Sequence, residues 1–181
     1  MPDQLASDST QATRRFRRLA AGILVGLALA TLVLVWIRWH KGGAMPRLTR
    51  QDFDAAFQRW SEHGPDSYQL DVTVQGNQPG QIHVEVRDGA VTAMTRDGIT
   101  PSQRRTWDYW SVPGQFDMIL LELDSQTDPH GEFGGVDGSN LVLWAEFDPH
   151  WGYPRRYRRV LLGARQEMEW EVTRFEPLEP R

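Results

Sequence analysis

The chain has 181 residues, a formal net charge of −4 and no cysteine, so disulfides, thiolate metal sites and a thiol nucleophile are excluded. The charge is unevenly divided: residues 1–50 hold eight Lys/Arg against two Asp/Glu, a net of +6, and residues 51–181 hold twelve against twenty-two, a net of −10. An acidic domain gains nothing from counterion release on a phosphate backbone, so nucleic acid is not expected as a partner.

Residues 1–18 are polar and aperiodic up to the cluster Arg14, Arg15, Arg17 and Arg18, and read as a disordered cytoplasmic tail. Leu19 to Ile37 is then free of charge. At the helical rise this stretch spans roughly 28 Å, close to the ~30 Å hydrocarbon core of a bilayer. Trp36, Trp39, Arg38 and Lys41 suit an interfacial belt, so residues 19–41 are expected to be a single transmembrane anchor with the lipid bilayer as its partner. A cleaved signal peptide fits less well, because the small residues Gly42-Gly43-Ala44 lie beyond Trp36, Arg38 and Lys41. The dense arginine cluster before Leu19 places the N-terminus in the cytoplasm and the rest of the chain across the membrane. Residues 42–47 read as a linker, residues 48–176 as one α+β domain and residues 177–181 as a tail.

The domain opens with a helix whose start is marked by Thr49 as N-cap and Asp52 in its first turn, with Leu48 placed to staple against Phe53. Phe53, Ala56, Phe57 and Trp60 recur at helical spacing until His63-Gly64-Pro65 ends the run. Strict alternation follows, with Tyr68, Leu70, Val72 and Val74 on one face. Ile82, Val84 and Val86 point inward from a second strand, and Asp88-Gly89 is a hairpin signal leading into a third strand, Ala90 to Thr95. Arg104 to Trp110 is a polar and aromatic crossing. Ser111 is placed to cap a second helix in which Phe116, Ile119, Leu120 and Leu123 share a face. A loop from Ser125 to Asn140 precedes three more strands, Leu141 to Phe147, Tyr153 to Leu162 and Gln166 to Phe175. The order helix, three strands, helix, three strands, with hairpin-length connections, predicts an antiparallel sheet of about six strands with helices packed on one face, preceded by the transmembrane helix.

Three stretches carry a resemblance: Trp60 followed by Tyr68, the run Val84-Glu85-Val86-Arg87-Asp88-Gly89-Ala90-Val91, and Phe147-Asp148-Pro149-His150-Trp151-Gly152-Tyr153-Pro154. Together they resemble the signature of a bacterial family of unknown function found in exported lipoproteins and membrane-anchored chains, over roughly residues 53–175. The resemblance implies export, the domain extent and the fold class; with the anchor it implies a bacterial cytoplasmic (inner) membrane location with the domain extracytoplasmic. It implies no mechanism. Many members carry a cysteine pair just after the first strand, where this chain has Thr73 to Pro79 and no cysteine.

No catalytic residue, metal ligand set or cofactor is nominated. His130 and His150 each follow Asp-Pro in a turn, and if the two turns converged they could hold a metal ion, but they stand twenty residues apart with a strand between. The glycine-rich loop Asp128 to Gly138 has three carboxylates but fails the alternate-ligand spacing of a calcium loop. Arg155, Arg156, Arg158 and Arg159 face alternating glutamates at 167, 169 and 171 if the last two strands pair, which makes them cross-strand partners rather than a ligand site. The best binding surface is a groove formed by Trp144, His150, Trp151 and Tyr153 with the loop to Asn140. Two functions are compatible with this reading: a binding or interaction module with an envelope protein as partner, and a hydrolase or metal-dependent enzyme using the His130 and His150 turns.

Overall fold

The computed structural model describes residues 45–127, 132–133, 136–164 and 166–179. Helix α1 (Arg50–His63) begins as its sequence requires, with the Thr49 hydroxyl accepting from the Asp52 N–H at 3.1 Å, and ends where the Gly64 N–H reaches the Trp60 carbonyl. Strands β1 (Tyr68–Gly76), β2 (Gly80–Arg87) and β3 (Ala90–Arg96) form a meander. Its second turn holds both Asp88 and Gly89 at positive φ, 49° and 75°, the backbone of a two-residue hairpin loop that matches strand twist. Two short 3-10 turns (Arg104–Thr106 and Asp108–Trp110) lead into helix α2 (Val112–Thr127).

The expected loop is shorter than predicted, because α2 continues to Thr127 and a two-residue hairpin, β4 (Glu132–Phe133) with β5 (Val136–Asp137), and a 3-10 turn (Gly138–Asn140) follow. Strands β6 (Leu141–Phe147), β7 (Pro154–Leu161) and β8 (Gln166–Pro177) complete the chain. They join the first three in one antiparallel sheet of order β3-β2-β1-β8-β7-β6, so the last strand lies between the first and the seventh. Pro46 to Leu48 pairs along the free edge of β6, with the Leu48 N–H donating to Leu143 at 2.9 Å and the Ala145 N–H to Pro46 at 3.2 Å. That contact covers backbone groups an edge strand would otherwise expose.

The core is the sheet face that meets both helices. Tyr68, Leu70, Val72 and Val74 alternate inward on β1, with Ile82, Val84 and Val86 beside them on β2, and all are buried. Trp60 packs edge-on against Tyr68 at 5.5 Å, and Phe53 edge-on against Phe116 of α2 at 5.6 Å. Ser111 caps α2 by accepting the Gly114 N–H at 3.2 Å. On the outer face the predicted arginine-glutamate ladder forms: Arg158 meets Glu167 at 2.6 Å and Arg156 meets Glu169 at 3.5 Å.

One expectation is corrected. Among the described residues no helix is long and apolar enough to cross a membrane. At 1.5 Å per residue α1 and α2 reach only roughly 21 and 24 Å, and both turn their apolar stripes to the sheet. Over the described residues the fold class is therefore α+β with no membrane-spanning helix, against the expected transmembrane helix and the single-pass inner-membrane location drawn from it. Residues 1–44, which include the expected tail, the 19–41 anchor and half of the linker, lie outside the described residues.

Candidate functional site

The turn between β6 and β7 is built by one carboxylate. Asp148 Oδ1 accepts the N–H groups of His150 and Trp151 at 2.9 and 2.7 Å, and the Asp148 backbone bonds to Tyr153 and Gly152. Gly152, at φ +87°, seats the turn on α1 so closely that a Cβ would collide with the Ala56 carbonyl oxygen and lie 2.9 Å from the Trp60 nitrogen. Of the four predicted groove residues, this turn brings together two: the His150 and Trp151 rings meet at 4.5 Å and, with Arg59, His63 and Pro149, line a shallow depression. Tyr153 is in the core, stacked on Phe175 at 4.4 Å. Burial pushes its phenol pKa up, and the Asp148 charge adds to that. Trp144 points from the opposite face of the sheet, where Arg158 lies 5.4 Å from its ring. The four do not form one groove. His130 lies outside the described residues, and of residues 128–140 side chains are described only from Gly138 onward.

A second group lies inside the fold. Glu122 on α2 is 1% exposed; it accepts the Tyr157 hydroxyl and pairs with the Arg159 guanidinium at 2.6 Å. Burial raises the Glu122 pKa against the opposing pull of Tyr157 and Arg159, and burial with the adjoining carboxylate holds the Tyr157 phenol well above its ordinary range. Glu122 and Tyr157 are enclosed, Arg159 is partly exposed, and together the three join α2 to the sheet. On the outer face, Asp71 and His83 are direct cross-strand partners at 2.6 Å, both partly exposed, in a polar groove with Thr73, Thr95 and Thr173. Among the described residues no group of three or more His, Asp or Glu side chains is arranged to hold a metal ion.

One further concavity is lined by residues that the sequence patterns did not single out. A cleft of about 580 Å³ opens between the β2–β3 turn and the start of α2. Buried Val91, partly buried Met118 and exposed Tyr109, Pro113 and Leu121 line it together with the exposed carboxylates Asp108 and Asp117. Tyr109 is 59% and Leu121 65% exposed, although neither belongs to the core face of its element. The signal was present: Met118 and Leu121 lie three residues apart on α2, off the stripe of Phe116, Ile119 and Leu123. Gly114 lets the helix start close on the preceding turn, since a Cβ there would strike the Asp108 carbonyl group. Among the described residues the fold and its surface thus define an α+β domain with an open apolar cleft.

Residues 52–129 match a family of unknown function, DUF6174. No curated protein and no solved structure matches the chain. The matched stretch takes in both helices, β1 to β3 and every residue lining the cleft, and stops before the His150-Trp151 turn.

Proposed function

We propose that the α+β domain is a binding module whose site is the cleft between the β2–β3 turn and α2, and that it takes a small molecule with an apolar body. The observation that carries this reading is the pairing of a cavity of ligand size with two large apolar side chains, Tyr109 and Leu121, left open to solvent at its mouth. Ligand pockets of about 300–1,000 Å³ with apolar walls and a few polar groups are the usual form of small-molecule sites. The fold beneath is fixed independently of the cleft, because the apolar stripes of both helices are spent on the sheet. An enzymatic reading on the His130 and His150 turns gains less support, since the Asp148 carboxylate beside His150 is engaged by its own turn.

The test is binding of hexanol to the full chain, followed by calorimetry and by backbone amide chemical shifts. Saturable binding with shifts centred on Val91, Tyr109, Met118 and Leu121 is expected, abolished in Tyr109→Ser/Leu121→Ser. Exposed substitutions of this kind leave stability within about 0.5 kcal/mol. Shifts confined to other surfaces, or binding unchanged in the double variant, would overturn the assignment.

A further inference from the structure

We infer that the cleft selects an organic cation: a molecule with an apolar tail that occupies the space over Val91 and Met118, and an ammonium or similar head held between Asp108, Asp117 and the Tyr109 ring. This inference rests on the binding reading above and adds the charge of the ligand. Of the ten residues lining the cleft two are carboxylates and none is basic. Among the described residues neither Asp108 nor Asp117 forms an ion pair, whereas the glutamates of the outer sheet face are matched by arginines. Arg104, the cation that reaches the Val91 carbonyl, lies over the Trp107 ring at 5.2 Å and is not among the lining residues.

A helix start at a cleft is the usual setting for the opposite ligand, an anion held by backbone N–H groups. Its donors are already used. The Val112 N–H donates to the Tyr68 hydroxyl at 2.9 Å, Pro113 has none, the Gly114 N–H is capped by Ser111, and the Gln115 N–H bonds to the Ser111 carbonyl at 2.9 Å. With the donors consumed and two carboxylates unmatched, the formal charge of the lining residues is negative. The exposed face of Tyr109 adds an aromatic quadrupole that attracts cations and is indifferent to neutral heads.

Hexylammonium, hexanol and hexanoate share one tail and differ in head charge, so titrating each into the full chain separates the two claims. Hexylammonium is expected to bind about tenfold tighter than hexanol, hexanoate weakest, and the advantage to shrink at high salt. Asp108→Asn/Asp117→Asn is expected to bring hexylammonium down to the level of hexanol measured on the same variant. Equal binding of hexylammonium and hexanol at the cleft would overturn the cation inference and leave the binding reading standing. Binding of none of the three would overturn both. A hexylammonium preference that survives in the Asp108→Asn/Asp117→Asn variant would place the cation elsewhere on the acidic surface and would also overturn the inference.

Discussion

Trp60 shows how much one side chain can hold together. Its indole is 9% exposed and meets Tyr68 of β1 and Phe175 of β8 edge-on, at 5.5 and 6.0 Å, so it ties α1 to the first and last strands at once. Trp60→Ala is expected to cost ~3–5 kcal/mol, a large part of a domain's stability, read as a fall in the urea midpoint. Glu122 acts through protons instead. Burial raises its folded-state pKa above the unfolded value, so the folded state keeps the proton longer. Its contribution to stability is then greatest below the ordinary glutamate range and declines as pH rises through that range toward the folded value. Glu122→Gln, which retains an acceptor for the Tyr157 hydroxyl and removes the titration, is expected to lose less stability than wild type as pH rises through and above the ordinary glutamate range. Parallel stability curves for the two proteins would show that this carboxylate does not titrate differently on folding.

Among the elements, the β6–β7 turn is the one most strictly specified. Gly152 combines a positive φ with contact against the α1 backbone, so Gly152→Ala adds strain and lifts the turn off the helix. A loss of about 2–4 kcal/mol is expected, above the ~1 kcal/mol for Ser111→Ala, which removes the α2 cap and the hydroxyl's bond to the Asp108 carbonyl. Thermal melts of the two variants side by side check the order. The elements were legible in the sequence where one force dominated. Alternation set β1, the cap at Thr49 set α1, and Asp88-Gly89 set the β2–β3 turn, and each lies where its residues put it. The arginines were legible only in part: Arg156 and Arg158 join the outer ladder, but Arg159 faces inward to Glu122, a partner on α2 that strand pairing alone could not indicate.

For the whole molecule, topology was harder to read than its parts, because hairpin-length spacing does not say that β8 inserts between β1 and β7. The candidate site was harder still. Trp144 and Tyr153 looked like neighbours of Trp151 in the chain, yet the pleat sends Trp144 through to the outer face and the docked turn sends Tyr153 into the core. Tyr109 and Leu121 were invisible as a pair, since only the close approach of α2 to the preceding turn brings both to the lining of one space. The family match ends at residue 129, before β8. A fragment of residues 45–129 keeps the cleft residues but leaves β1 without its partner strand, and it is expected to show collapsed amide dispersion and no cooperative melt. A fragment that melts cooperatively would show that the β1–β8 pairing is dispensable.

The pairing of the first strand with the last also sets a clock. The Thr173 hydroxyl meets the Asp71 carbonyl across 102 positions of chain, and the closure entropy of so long a loop must be met before any β1–β8 hydrogen bond returns free energy. Helix α1 and the β1–β3 meander can gather in microseconds, but the sheet has no centre until the distant strand arrives. Refolding should therefore be slow for the size of the domain, in milliseconds to seconds, with β3, β2 and the exposed side of β1 waiting as a half-sheet ready to accept a strand from any other chain at hand.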